Sequence, residues 1–261
     1  MIKVASIQYW LDDNKNKSKR IEEVENLIEQ AKGFDLIVLP EVWNIGWRGF
    51  DKYSSESENM EGETISRIAE KARKLKTHIM AGTIIEKDGN DLYNTAVLIG
   101  PSGNILGKYR KIHLVTRKGS EEVKYLKPGN EVVAIKTELG VIGIGICYDL
   151  RFPELYRKMV VEKGVEIILQ PAAWPLARVE NWMDLNHVRA NENLCYLISC
   201  NCSGIDRGVQ YLGHSTIVDP HGVPIVSSGL FGGIVKGEID LEDLYKIRKE
   251  NPHLENRVLS V

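Results

Sequence analysis

From Met1 to Gln8 apolar and polar residues follow a strand-like alternation. The period changes between about residues 15 and 31, where Ile21, Val24, Leu27, Ile28 and Ala31 fall on one helical face before Gly33. The apolar run Leu36-Ile37-Val38-Leu39 follows, so the chain opens as β-α-β. A second helix is predicted over residues 64–75, with Ile65, Ile68, Ala69, Ala72 and Leu75 on one face. It feeds strands near 79–85 and 93–99, and the turn Pro101-Ser102-Gly103-Asn104 folds the chain back into a strand at 105–109.

Residues 113–130 lack a clear period and are rich in charge, which marks a functional loop inside a compact domain. Strands resume at 132–136 and 141–146, a helix covers 154–163, and a strand follows at 167–170. A further helix over 179–193 precedes strands at 196–200 and 213–218, and the last strand covers 233–240. Strands outnumber helices, and hairpins alternate with crossovers. The pattern therefore predicts an α/β fold in which amphipathic helices cover the outer faces of sheets. No linker, low-complexity tract or repeat interrupts the chain, so residues 1–261 are expected to form a single domain.

Composition narrows the function. At 261 residues and 43% hydrophobic content the chain is long enough to bury a large core. A formal net charge of −2, with both signs interspersed, offers no basic footprint for nucleic acid. No apolar run approaches membrane-spanning length and the N-terminus lacks a secretory pattern, so a cytoplasmic protein with a small-molecule or protein partner is expected. The four cysteines, Cys147, Cys195, Cys200 and Cys202, are too few and too clustered to staple the fold and read as reduced thiols.

Several residues are candidates for chemistry. Glu41 follows an apolar strand and a proline, which puts a carboxylate at a strand's carboxyl end, where α/β sheets place ligands; a surface or capping role is the alternative. Lys111 lies where a strand enters the long loop, pointing either inward or into solvent, and His113 beside it reads as a base or as a hydrogen-bonded structural histidine. Cys147 ends an apolar run at a strand-to-helix elbow, where nearby main-chain N–H groups favour a thiolate and can bind an oxyanion. The alternative for Cys147 is a buried apolar residue. Cys195, Cys200 and Cys202 are expected in or near the core, with zinc ligation by Cys200, Cys202 and His214 as a remote alternative. Arg189 and Glu192 are spaced for an ion pair, and so are Arg151 and Glu154, unless Arg151 meets a substrate carboxylate.

In this order, Leu39-Pro40-Glu41, Tyr109-Arg110-Lys111-Ile112-His113-Leu114 and Gly145-Ile146-Cys147-Tyr148-Asp149-Leu150-Arg151-Phe152-Pro153-Glu154 resemble the nitrilase superfamily of carbon–nitrogen hydrolases. The likeness continues through Glu122, Pro171-Ala172-Ala173-Trp174-Pro175, Arg189-Ala190-Asn191-Glu192-Asn193 and Tyr211-Leu212-Gly213-His214-Ser215. It implies a four-layer α-β-β-α sandwich, usually paired into a homodimer, acting on a small-molecule amide without metal or organic cofactor. It maps the base onto Glu41, the oxyanion-stabilising lysine onto Lys111, the nucleophile onto Cys147 and a positioning glutamate onto Glu122, with Glu121 as the competing position. Tyr148 and Trp174 are the expected substrate-binding residues.

The stretch from Cys147 to Glu154, followed by Pro171 to Pro175, looks most like the ω-amidase-type branch, which deaminates amides such as 2-oxoglutaramate or succinamate. Nitrilases commonly carry Trp after the nucleophile, and this chain has Tyr148. An N-carbamoyl amine or aliphatic amide hydrolase is the rival reading within the class, and a non-catalytic scaffold is the rival outside it. A zinc hydrolase is disfavoured because the six histidines show no ligand spacing.

Overall fold

The computed structural model describes residues 1–116 and 121–259. The parallel strands are read most directly from the sequence, because burial of both faces demands unbroken apolar runs. Strand β1 (Ile2–Gln8) pairs in parallel with β3 (Leu36–Val38), and β3 with β4 (His78–Asp88). Helices α1 (Lys17–Gln30), α2 (Tyr53–Glu56) and α3 (Glu63–Leu75) lie between these strands in the chain. The Asn16 side chain accepts from Lys19 N–H at 2.9 Å and caps the first turn of α1. Antiparallel pairings with β5 (Asp91–Ile99) and β6 (Ile105–Arg110) extend one edge, and β15 (Gly233–Ile239) closes the other.

The second six-stranded sheet is built the same way around a parallel centre. β8 (Gly140–Ile144), β9 (Ile167–Ala172) and β10 (Tyr196–Asn201) run parallel, flanked by β7 (Ala134–Thr137), β13 (Thr216–Val218) and β14 (Pro224–Ser227). Helices α5 (Pro153–Lys163) and α6 (Val179–Asn193) connect its central strands. Pro153 at the first helical position and Gly164 at φ 70° just past the end fix the limits of α5. A small third sheet joins β2 (Trp10–Leu11), β11 (Ser203–Asp206) and β12 (Val209–Gln210).

Alternation along the strands separates two apolar clusters. Leu36 and Val38 of β3 face the second sheet with Ile144, Leu169 and Ile198, while Ile37 and Leu39 face α1 and α3 with Ile21, Val24, Ile65 and Ile68. The result is helices outside and two sheets face to face within, an α-β-β-α sandwich.

Besides the short elements α2, β2, β11, β12 and β14, which the pattern did not mark, four differences have a physical reason. Helix α7 (Leu241–Glu250) was not expected, because its charged sequence buries only Leu244 and Ile247; its signals are Asp240 as N-cap, acids in the first turn and bases in the last. The short helix α4 (Glu122–Tyr125) interrupts the predicted loop 113–130, of which residues 117–120 lie outside the described ones. The strand expected over 213–218 begins only at Thr216, since Gly213 and His214 take positive φ. Strand β4 reaches Asp88, three residues beyond the expected end, because its hairpin partner β5 continues pairing to Asp91. Among the described residues no helix is long and apolar enough to cross a membrane.

Candidate active site

The elbow after β8 is fixed from several directions. Gly145 has no room for a Cβ, which would stand 2.7 Å from the Tyr156 hydroxyl and 2.8 Å from Gln170 Oε1. Cys147 then takes φ 47°, a left-handed conformation that a non-glycine residue adopts only when its surroundings hold it there. Asp149 is the main clamp: its carboxylate accepts from the Ile146 and His113 main-chain N–H groups at 2.9 and 3.0 Å and from the Tyr109 hydroxyl at 2.8 Å. His113 Nδ1 lies 2.7 Å from the same carboxylate and its ring stacks on Phe152, which is the structural reading of that histidine. On the far side Arg189 Nε donates to the Leu150 carbonyl at 3.1 Å, and its Nη1 pairs with Glu192 at 2.8 Å as its spacing predicted.

Glu41 reaches the same place from the other sheet. The chain leaving β3 passes close over β4, where Gly82 takes φ 69° and a Cβ would stand 2.1 Å from the Pro40 carbonyl. The Glu41 carboxylate is fully buried and accepts from Asn94 Nδ2 at 2.8 Å, Lys111 Nζ at 3.0 Å and the Ala173 main-chain N–H at 2.8 Å. Asn94 also accepts the Lys111 main-chain N–H at 2.9 Å, so one residue of β5 aligns both charges.

Lys111 is buried and bridges two carboxylates, Glu41 at 3.0 Å and Glu122 at 2.8 Å. Glu122 is itself enclosed, accepting from Val115 N–H at 2.7 Å and from Trp47 Nε1 at 3.3 Å. Glu121 instead stands at the surface and pairs with Lys124 at 3.1 Å. Burial works against the lysine's charge, but Glu122 and Glu41 outweigh it and hold the ammonium well above its usual range.

The thiol behaves differently from the sequence expectation of a favoured thiolate. Burial, then the charge of Glu41, push Cys147 well above the usual thiol value; Lys111 and the Ala173 N–H pull the other way without prevailing. Glu41 is the largest charge acting on the thiol, so a carboxylate able to accept its proton stands nearby. This arrangement suits removal of the proton during attack rather than a standing thiolate.

Cys147 opens onto a cavity of about 380 Å³. Tyr148 and Trp174 both line it, together with Trp47, Tyr211 and three arginines, Arg48, Arg151 and Arg178. Arg151 lays its guanidinium 4.8 Å over the Trp174 ring instead of pairing with Glu154. Trp174 is held by its N–H to Asn201 Oδ1 at 2.7 Å and by its indole N–H to the Arg178 carbonyl at 2.9 Å. Sequence reading missed Asn94, Asn201, Trp47 and Arg48; polar residues inside apolar strand patterns signal the two asparagines, whereas nothing local marks the other two.

The remaining thiols, Cys195, Cys200 and Cys202, are fully buried, and all four cysteines are unpaired. The Cys200 Sγ lies 3.2 Å from the Ile7 and Val38 carbonyls, and among the described residues no three His, Cys, Asp or Glu side chains are grouped to hold a metal ion.

Two sheets face to face, an elbow cysteine and an enclosed Glu-Lys-Glu cluster define a nitrilase-type hydrolase fold. The carbon–nitrogen hydrolase family model matches residues 3–249, and the chain belongs to that family. A 2-oxoglutaramate amidase from Bacillus subtilis (strain 168) is 36% identical over 254 residues, covering 95% of either chain. Another, from Paenarthrobacter nicotinovorans, is 33% identical over 262 residues, covering 97% of this chain and 88% of that one. Among solved structures, Saccharomyces cerevisiae Nit3, a member of branch 10 of the nitrilase superfamily, superposes with a TM-score of 0.88 at 30% identity, covering 96% of this chain and 94% of that one.

Proposed function

We propose that the protein hydrolyses the amide of a short dicarboxylic acid monoamide, of the 2-oxoglutaramate or succinamate type, through a thioester on Cys147. The observation that carries this reading is the Cys147 thiol at a cavity rimmed with arginine, under the charge of the buried Glu41 that pairs with Lys111. The names of the relatives support the choice of amide.

Glu41 takes the thiol proton as Sγ bonds to the amide carbon. The charge that develops on the amide oxygen falls to Lys111 and the Tyr148 main-chain N–H, and one such donor contributes about 2.7–4 kcal/mol of barrier lowering. Glu41 passes its proton to the departing nitrogen, the C–N bond breaks and ammonia leaves a thioester. Water, deprotonated by Glu41, then breaks the C–S bond, yielding a carboxylic acid and restoring the thiol. Glu122 pairs with Lys111 at 2.8 Å and so positions its ammonium.

The same proposal takes residues 1–261 as one catalytic domain and the protein as a cytoplasmic homodimer. Four free, buried thiols accord with a reducing compartment. An ammonia-release panel tests the substrate: 2-oxoglutaramate and succinamate are expected to turn over. Turnover of N-carbamoyl amines with none of these two acids would overturn the reading.

A further inference from the structure

The three arginines of the cavity are not equivalent. Among the described residues that line it there is no aspartate or glutamate, so all three guanidinium charges act on whatever enters. Arg151 is already occupied: it lies 4.8 Å over Trp174 and 5.8 Å over Tyr148, and an Nη contacts Asn181 Oδ1 at 3.5 Å. Arg178 is exposed at the outer edge. Arg48 is half-buried, and its Nε is enclosed with no hydrogen-bond partner.

Arg48 thus lines the cavity without a partner among the described residues that neutralises its charge, which an anionic ligand would supply. The main chain at this position is held rigidly. Asp206 Oδ2 accepts the Arg48 main-chain N–H at 2.8 Å and the Tyr211 hydroxyl at 3.1 Å. Asp206 is thus engaged with the backbone of Arg48, and no ion pair between the two side chains is formed among the described residues. The neighbouring Gly46, at φ 86°, leaves Asp206 its place, since a Cβ there would stand 2.9 Å from both carboxylate oxygens. What results is a guanidinium on a fixed backbone, lining the cavity that Cys147 shares and forming no ion pair among the described residues.

We propose that Arg48 is the specificity-determining residue that binds the substrate's non-reacting carboxylate. The proposal rests on the ω-amide reading above and assigns its far-end contact. A planar guanidinium donates to both carboxylate oxygens at once, which fixes the length of chain between the anion and the amide carbon as well as its charge.

The test compares succinamate with its neutral isostere succinamide, by initial rates of ammonia release, in wild type, Arg48→Gln, Arg48→Lys and Arg178→Gln. In Arg48→Gln the succinamate kcat/KM is expected to fall about 10- to 100-fold, mainly through KM, with a smaller loss on succinamide. The inhibition constant of succinate should rise in parallel. Arg48→Lys keeps the charge without the paired donors and should give an intermediate substrate ratio, which preserves the test if the glutamine variant does not fold. Arg178→Gln should shift the ratio less than Arg48→Gln. An unshifted ratio in both Arg48 variants, or an equal shift in Arg178→Gln, overturns the assignment while leaving the ω-amide reading intact. A wild type inert to succinamate and 2-oxoglutaramate but active on carbamoyl substrates overturns that reading instead.

Discussion

The base of the cavity and its mouth are built on opposite principles. At the base every charge is enclosed and committed: Glu41 has three donors, Lys111 two carboxylates, and Glu122 the Val115 and Trp47 N–H groups. At the mouth the charges are partly exposed and loosely held, with Arg48 offering an unused donor and Arg151 resting on an aromatic ring. Buried charges that lose a partner are strongly penalised, so the base can adopt one arrangement and keep it. The mouth can exchange water for a ligand at little structural cost. Reaction chemistry and substrate choice are therefore separable by mutation.

The largest effect should come from removing the reacting atom. Cys147→Ala is expected to lower turnover by at least about 10⁴-fold with little change in thermal midpoint, measured by ammonia release and calorimetry. Retained turnover would break the assignment of the nucleophile. Next, Lys111→Met removes the ammonium that both Glu41 and Glu122 contact. It should abolish measurable turnover and also destabilise the fold by about 3–5 kcal/mol, seen as a midpoint drop on the order of 10 °C. No comparable destabilisation is expected for Arg178→Gln at the mouth, and equal effects would erase the distinction drawn here.

Glu122→Gln keeps the shape but weakens the hold on the ammonium, and about a 10²-fold loss in kcat with little change in KM is expected. Alkylation separates the four thiols by place: iodoacetamide should label Cys147 first, because it alone among them lines the cavity. Glu41→Gln should slow that labelling several-fold near neutral pH, since the raised thiol depends on the carboxylate to accept its proton. Faster labelling would mean that the charge of Glu41 opposes the thiolate more than its basicity helps.

The smallest effect lies just behind the base. Arg110, the neighbour of Lys111, points the other way and pairs with Glu86 at 2.8 Å and Asp88 at 2.6 Å. Burial raises Glu86, but Arg110, Lys108 and Thr95 outweigh it and hold the carboxyl at about 2. With the folded value below the unfolded one, this stabilisation is present above about pH 4.5 and is lost as pH falls towards 2. Glu86→Gln should flatten the acid limb of the thermal midpoint by a few degrees and leave the cavity's substrate ratio alone.

Much of the fold was legible because parallel strands buried on both faces must be apolar throughout, as in Leu36-Ile37-Val38-Leu39. Helix α7 escaped because its contact with the core is two residues wide and its other faces are charged. In the site, Glu41, Lys111, Glu122 and Cys147 were named from ordered motifs, yet each alone fitted a bland reading. What brings them together is long-range: Glu41 and Ala173, 132 positions apart, meet through a 2.8 Å hydrogen bond between the two sheets. Arg48 was invisible for a related reason, since an unpaired donor is a property of surroundings assembled from distant segments.

The ammonium of Lys111 at the base of the cavity is met by two carboxylates, while the mouth carries three guanidinium groups. A molecule with an anion at one end and a neutral amide at the other is sorted by this gradient as it enters, amide first. Hydrolysis turns the inner end into a second anion, now facing Glu41. The product is then repelled from the place where it was made, so the same asymmetry that admits the substrate also speeds the product's departure.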